Sequence, residues 1–191
     1  MQHWSQLCRE AHDMLPPNMP EPRGLEVQVN CFVDADHAGN RITRRSHTGI
    51  LIFINHSPIV WYSKSQTTVE SSTFGAEFVV TRIAVNLVES LRYKLRMFGV
   101  PIEGPTNMFV DNSSVVLNAT VPSSTLKKKH NSIAYHRIRE AIVALIIRIG
   151  EVNGKKNLAD MFTKPLPAGE LTNMIQKILY FLSYFDHEDE L

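Results

Sequence analysis

The sequence has little cysteine, no long apolar run and almost no net charge, and the first two deficits each exclude a class of protein. Its two cysteines, Cys8 and Cys31, lack metal-ligand spacing, which argues against a disulfide framework or a structural zinc site. No stretch reaches the ~18 uninterrupted apolar residues of a membrane span, and the polar N-terminal residues do not resemble a signal peptide. We therefore expect a protein that is neither secreted nor membrane-spanning.

The charge balance leaves binding to nucleic acid open. The formal net charge is +1 over 191 residues, so affinity for a polyanion must come from local clusters of lysine and arginine. Hydrophobic residues make up 43% and charged residues 20% of the chain, which is ordinary for a soluble globular domain. This length and composition predict a single domain with its own core.

The chain divides into three parts. Residues 1–24 are polar and proline-rich, and we interpret them as an extended lead-in or linker, because proline disfavours helix at the preceding residue. Residues 25–167 contain the strand and helix patterns of the domain. Residues 168–191 are predicted to form a C-terminal amphipathic helix, ending near Tyr184, and an acidic tail.

Three strands are predicted first. Alternate residues from Val27 to Val33 are apolar and share one face of a strand that ends at Asp34. Residues 48–55 and 58–64 are two further β-branched and aromatic runs, and the short turn-like stretch between them predicts a hairpin.

A change of spacing to steps of three and four predicts a long helix over residues 72–98, closed by Gly99. Its expected apolar stripe consists of Val80, Ala84, Leu87, Leu91, Leu95 and Phe98. Glu77 falls on this core-facing stripe, whereas Glu89 falls on the opposite, solvated side. A carboxylate that faces the core needs a cation, a hydrogen-bond donor or a metal beside it, and Arg82 is one candidate partner.

The later segments predict a strand before Asp111, a brief helix over residues 112–120, an amphipathic helix over residues 125–146, another strand, and a helix capped by Asn157. Three antiparallel strands followed by helical crossovers indicate an α/β chain with a mixed sheet covered by helices. Several folds satisfy this order, so topology alone names no function.

Four carboxylates are candidate metal ligands: Asp34, Glu77, Asp111 and Asp160. Each aspartate also has an ordinary explanation, as a turn residue, a helix cap or an acid at a helix start. Spacing does not distinguish Asp34 from Asp36, which points to the same side of the strand. If the sheet gathers these acids, their oxygens suit Mg²⁺ or Mn²⁺ better than zinc.

Five ordered motifs make the resemblance specific. Between about Val27 and Pro167, the chain resembles the ribonuclease H domain of copia-type retrotransposon Pol polyproteins. The motifs that carry this resemblance are FVDADHAGNRITRRSHTG, WYSKSQTTVESSTFGAEF, FVDNSSVV, KKKHNSIAYHRIRE and NLADMFTKPLP.

The resemblance implies a ribonuclease H-like fold, with a five-stranded mixed sheet and helices on both faces. It implies catalytic, metal-binding acids at Asp34, Glu77, Asp111 and Asp160, and it favours Asp34 over Asp36. It further implies two divalent ions, Mg²⁺ or Mn²⁺, that serve cleavage of the RNA strand of RNA–DNA hybrids. The expected partner is the reverse transcriptase domain of the same polyprotein, without a membrane or a small-molecule cofactor. The expected location is the cytoplasm, including virus-like particles, or the nucleus.

Candidates for holding the hybrid are Arg44, Arg45, Lys127, Lys128, Lys129 and His130, although cations at a protein surface are often only solvated.

The chain departs from the family at His37, Gly75 and Ala134, where relatives commonly have Trp, Glu and Arg. It also lacks the histidine that many ribonucleases H place before the last aspartate, where Lys155 or Lys156 could assist product release. His130 and His136 are six residues apart and cannot share one face of a helix, so we do not expect them to bind zinc as a pair.

Two other functions remain open at this point. The chain has no reverse transcriptase motif, so a catalytically silent or domesticated fragment that binds nucleic acid or protein is the main alternative. A different nuclease of the same superfamily, such as an integrase or resolvase, would need another acid pattern at the final helix, and LADMFTK disfavours it.

Overall fold

The computed structural model of the protein describes residues 8, 10–126 and 131–179. Five strands form one sheet: β1 (Val29–Asp36), β2 (His47–Ile54), β3 (Ser57–Ser65), β4 (Thr106–Val110) and β5 (Ile147–Glu151). Within the described part of the chain, four α-helices accompany them: α1 (Thr73–Met97), α2 (Ser113–Thr120), α3 (Ser132–Val143) and α4 (Ala168–Ile175). Two short 3₁₀ turns, Gly154–Lys156 and Leu158–Phe162, lie between β5 and α4.

The strand order in the sheet is β3-β2-β1-β4-β5. β1, β2 and β3 pair antiparallel, as the predicted hairpin requires, whereas β4 and β5 run parallel to β1. This arrangement confirms the predicted five-stranded mixed sheet. It also places β1 at the centre, with the carboxyl ends of β1 and β4 at the same edge.

Helices cover both faces because the central strand is apolar on both sides. Val29, Cys31 and Val33 are fully buried in the main core beneath α1, α2 and α3. On the other face Phe32 stacks on Phe109 and packs with a second core. That second core contains Leu51, Phe53, Leu158 and Met174 from β2, the second 3₁₀ turn and α4.

The long helix α1 begins and ends close to its predicted bounds. Ser72 caps it by accepting a hydrogen bond from the Gly75 N–H at 3.2 Å, and Gly99 follows it with a φ of 68°. The expectation that Phe98 belongs to the core is wrong, because this side chain lies beyond the helix and is 80% exposed. The expectation of a solvated Glu89 is also wrong, since its half-buried carboxylate pairs with Arg137 of α3.

The C-terminal elements are shorter than predicted. Asn157 caps a helix as expected, but the segment is a 3₁₀ turn that ends at Phe162. The last helix ends at Ile175, and the predicted continuation beyond Leu179 lies outside the described residues. None of the described helices combines the length and the apolar content that crossing a bilayer demands.

The lead-in contacts the domain although its described part contains neither helix nor strand. The Asp13 carboxylate accepts hydrogen bonds from the guanidinium groups of Arg92 and Arg96 on α1. Arg92 also donates to the Gly104 carbonyl at 2.9 Å, and its side chain is only 5% exposed. Asp13 therefore neutralises a nearly buried cation, while the domain boundary at residue 24 stays a prediction.

Removing this acid should destabilise the whole domain. We expect Asp13→Asn to lower the free energy of unfolding by about 2–3 kcal/mol, less than for a fully buried pair because Asp13 is partly exposed. Urea denaturation measures the loss, and Glu21→Gln, an exposed acid in the same segment, serves as the control. Equal midpoints for the two variants would show that Asp13 contributes nothing.

Candidate metal centre

Three carboxylates from separate elements meet at the carboxyl end of the central strands. Asp34 lies near the end of β1, Asp111 directly follows β4, and Glu77 projects from α1 above them. Each contributes an oxygen, and the three oxygens lie within 4.8 Å of one another. We call Asp34, Glu77 and Asp111 the acidic trio.

The ordinary explanations of Asp34 and Asp111, as a turn residue and a helix cap, do not apply in the structure. Asp34 lies within β1, paired with Gly49, and not in a turn. The cap of α2 is Asn112, whose side chain accepts from the Ser114 N–H at 3.0 Å, so Asp111 does not cap this helix. Asp36 lies outside the acidic trio, and the structure thus gathers Asp34 and not its neighbour.

Glu77 has one oxygen with a partner and one without. Its side chain is 2% exposed, and its Oε1 accepts a hydrogen bond from the Ala35 N–H at 3.3 Å. Its Oε2 is buried without a hydrogen-bond partner among the described residues, and Arg82 makes no ion pair with it there. An orphaned buried oxygen on a side chain that meets two other carboxylates fits a hard divalent cation such as Mg²⁺.

The fourth acid is carried by the second 3₁₀ turn, which is fixed to the sheet. Asn157 donates from Nδ2 to the Val33 carbonyl at 2.8 Å and caps the turn through the Ala159 N–H. Gly49 of β2 makes the approach possible, because a Cβ there would lie 2.6 Å from the Ala159 carbonyl oxygen. Asp160 is thereby held beside Asp34, but it is not a member of the acidic trio.

Two residues near the centre were missed in the sequence. The Thr163 hydroxyl donates to Asp34 Oδ2 and lies 3.0 Å from the Asp160 carbonyl oxygen. Its position three residues after Asp160 places it on the same side of a 3₁₀ turn, which is the only sequence signal for it. Thr163 therefore orients Asp34.

Gln66 is the second missed residue, and it links β2 to α1. Its buried side-chain amide donates to Thr48 Oγ1 at 3.3 Å and to the Ala76 carbonyl at 3.1 Å. Because Ala76 precedes Glu77, this bridge holds the first turn of α1, and with it Glu77, over β2, the strand next to β1.

Burial and mutual repulsion shift the trio toward its protonated forms. Burial, with the charges of Asp160 and Asp111, raises the pKa of Asp34 to about 7, although the Thr163 hydrogen bond opposes this. Burial and the charge of Asp34 raise the pKa of Glu77 well above its usual range. Burial also raises the pKa of Asp111. The trio is therefore unfavourable as three charges without a cation.

A lysine lies next to the fourth acid. Lys164 Nζ lies 2.9 Å from Asp160 Oδ1. Burial would lower the pKa of this ammonium, but the hydrogen bond and charge of Asp160, with Asp34 and Asp111, raise it. Both side chains border a cavity of about 510 Å³, lined also by Asp111, Gly154, Lys155, Glu170, Asn173, Met174 and Lys177.

The predicted nucleic-acid residues are only partly described. Arg44 and Arg45 are exposed in the connection between β1 and β2, which follows the strand that carries Asp34. Lys127, Lys128, Lys129 and His130 lie outside the described residues. The nucleic-acid-binding role of all six stays a prediction.

Two of the three departures from the copia pattern, His37 and Gly75, have local structural accounts. His37 Nε2 is 3.1 Å from the Glu70 carbonyl oxygen, which ties the β1–β2 connection to the segment before α1. A side chain at Gly75 would begin with a Cβ 2.5 Å from Glu70 Oε2 and 3.0 Å from Asn131 Nδ2. Glu70 therefore occupies the space that a side chain at residue 75 would need.

Related sequences are transposon polyproteins. The chain is 28% identical over 156 residues to the retrovirus-related Pol polyprotein from transposon RE1 of Arabidopsis thaliana. It is 29% identical over 159 residues to that from transposon RE2 of Arabidopsis thaliana and 29% over 144 residues to that from TNT 1-94 of Nicotiana tabacum. These alignments cover 82%, 82% and 75% of the chain but 11% of each polyprotein. The predicted resemblance to copia-type polyproteins is confirmed, although no family model matches the chain.

Similar solved structures are ribonucleases H. RNase H1 from Halobacterium salinarum superposes with a TM-score of 0.53 at 13% identity, over 71% of this chain and 94% of that one. The N-terminal RNase H domain of a Mycobacterium tuberculosis protein gives 0.53 at 13%, over 79% and 98%. LC11-RNase H1 from compost, solved with an RNA/DNA hybrid, gives 0.55 at 14%, over 71% and 94%. This likeness confirms the ribonuclease H fold.

Loss of the Thr163 hydroxyl should weaken metal binding at this centre. We expect Thr163→Val to reduce affinity for Mn²⁺ about 10- to 100-fold, because Asp34 loses the donor that orients it. Thr163→Ser keeps the donor and should bind nearly as the parent does. Calorimetric titration with Mn²⁺ measures both, and a valine variant that binds as tightly as the serine variant would disprove the role of the hydroxyl.

The stability of the metal-free protein should fall as pH rises. The pKa of Asp34 is raised from 3.8 to about 7, so between these values the folded protein binds more protons than the unfolded chain. The contribution of this group is therefore present at low pH and lost as pH rises through the folded-state pKa. We expect a higher melting temperature at about pH 5 than at about pH 8 in chelator.

The control for this pH dependence is Asp34→Asn, which removes one titrating group and should make the profile shallower, although Glu77 and Asp111, whose pKa values are also raised, still contribute. Saturating Mg²⁺ should restore stability at about pH 8, because a bound cation favours the charged carboxylates. A metal-free melting temperature that rises over this range would contradict the assigned shift.

Proposed function

We propose that the chain is a ribonuclease H domain of a retrotransposon Pol polyprotein that cleaves the RNA strand of RNA–DNA hybrids with two divalent ions. The observation that carries this proposal is the acidic trio, with three oxygens within 4.8 Å and a buried Glu77 Oε2 lacking a partner among the described residues. The ribonuclease H fold and the similarity to Pol polyproteins support it.

The residues present fit Mg²⁺ or Mn²⁺ better than softer metals. Every candidate ligand is a carboxylate, and the two cysteines, Cys8 and Cys31, lie outside the acidic trio. Divalent ions at such a site activate water as the nucleophile and stabilise the leaving oxygen of the cleaved phosphodiester. We assign the first ion to the acidic trio and the second to Asp34 with Asp160.

The chain's own residues supply position and electrostatics. Asp34 would contact both ions, with Thr163 fixing its rotamer through Oδ2. The Ala35 N–H holds Glu77 Oε1, and Oε2 would be the oxygen available to hold an ion. Lys155, on the rim of the adjacent cavity, would attract the phosphates of the substrate strand.

The substrate class is inferred from relatives. The chain spans about a tenth of the polyproteins that it matches, so their activities and partners are transferred here as part of the proposal. LC11-RNase H1 was solved with an RNA/DNA hybrid, and a hybrid is the substrate that we infer for this chain. Selection of the RNA strand would depend on its 2′-hydroxyls, with little dependence on base sequence. The reverse transcriptase domain of the same polyprotein is the inferred partner.

A cleavage assay tests the proposal. Purified protein with Mg²⁺ or Mn²⁺ should cut labelled RNA in an RNA–DNA hybrid but not in single strands. Glu77→Gln and Asp34→Asn should each lower the rate at least about 100-fold, since each removes a ligand charge.

Asp36→Asn is the matched control, because it makes the same change two residues along β1 and outside the acidic trio. It should retain most of the activity. Equal cleavage by the parent and Glu77→Gln would eliminate the proposed site. If no protein cleaves yet all bind the hybrid, the chain is a silent binding module instead.

A further inference from the structure

Lys164 occupies an unusual position relative to the four acids. Its ammonium is 2.9 Å from Asp160 Oδ1, while its side chain is 45% exposed and that of Asp160 only 11%. The two residues are four apart at the end of the 3₁₀ turn, and the Lys164 N–H is 3.4 Å from the Asp160 carbonyl oxygen. The lysine is thus tethered beside the acid, while nearly half of its side-chain surface stays in contact with solvent.

This ion pair separates the fourth acid from the other three. Asp34, Glu77 and Asp111 share one locus, and Asp160 is not within the same 4.8 Å set. One oxygen of Asp160 already binds the lysine ammonium. A divalent ion that bridges Asp34 and Asp160 must therefore compete with Lys164 for this carboxylate.

We propose that Lys164 is an internal counter-cation that competes with the second divalent ion for Asp160 and so makes the two ions bind in order. The acidic trio takes its ion first, because no lysine or arginine pairs with it among the described residues. The second ion binds only as the ammonium leaves Asp160. This inference rests on the two-ion site proposed above.

The structure offers the displaced ammonium another location. Lys164 and Asp160 border the cavity of about 510 Å³, and Glu170 of α4 lines the same cavity with an exposed carboxylate. A lysine side chain has several rotatable bonds, so it can leave Asp160 without backbone movement. Its partial exposure keeps the competing ion pair weak enough for a divalent ion to replace it.

The ion pair between Lys164 and Asp160 also has a role when no metal is bound. Four acids at one sheet edge repel one another, and a tethered ammonium offsets part of this repulsion. Once both ions are present, the same ammonium is released next to the site where substrate phosphates would arrive. Lys164 is accordingly a positioning residue for the metal site and not a metal ligand.

Calorimetric titration of Mn²⁺ into the full chain tests the competition. Lys164→Gln should tighten the second binding step about tenfold, within the range usual for coupled equilibria, and leave the first step unchanged. Lys164→Arg retains the charge and should bind like the parent. Lys177→Gln, the same change on the same cavity at a residue without an ion pair among the described residues, should also bind like the parent.

Melting temperatures separate this role from a merely structural one. Without metal, Lys164→Gln should melt below the parent, and saturating Mn²⁺ should close the gap, because both proteins then carry the same ions. Unchanged second-step affinity in Lys164→Gln would overturn the inference while leaving the metal site in place. Absence of Mn²⁺ binding in every protein would overturn the proposed function and this inference together.

Discussion

Repulsion among carboxylates that the fold forces together is the constraint on which the rest of this structure depends. Two like charges about 4 Å apart at an effective dielectric constant of about 20 repel by about 4 kcal/mol, a sizeable part of the roughly 5–15 kcal/mol that stabilises a domain. Three acids share such a distance here, and Glu77 is almost completely buried. Such a fold is stable only if another interaction offsets this repulsion. Carboxylate oxygens favour hard divalent cations for that role.

The surrounding residues keep the acids from relaxing apart. Gly49 lets the 3₁₀ turn approach β2, Asn157 binds that turn to β1, and Thr163 binds Asp34 directly. Gln66 holds α1 over the strands. The acids therefore cannot escape their repulsion by separating, and proton uptake, the Lys164 ammonium or bound metal must reduce it instead.

Local patterns predicted the strands and helices and located the three acids that meet in the structure. Periodicity placed Glu77 on the buried side of α1, and strand ends located Asp34 and Asp111, because these signals depend on neighbours a few residues away. A period of two could not separate Asp34 from Asp36. Thr163 and Asp34 are 129 positions apart and Asn157 and Val33 are 124 apart, so these contacts arise only from the tertiary fold. The predicted apolar stripe of α1 was wrong at Phe98, because the helix ends one residue earlier.

The proposed function requires that the fold assemble a binding site for divalent ions around the acidic trio. Anomalous diffraction from crystals grown with Mn²⁺ tests it most directly, since the scattering locates the ions without reference to activity. We expect one strong peak in contact with Asp34, Glu77 and Asp111, and a second, weaker peak between Asp34 and Asp160 about 4 Å away. A trio without a peak at saturating Mn²⁺, with ions bound only elsewhere, would contradict it.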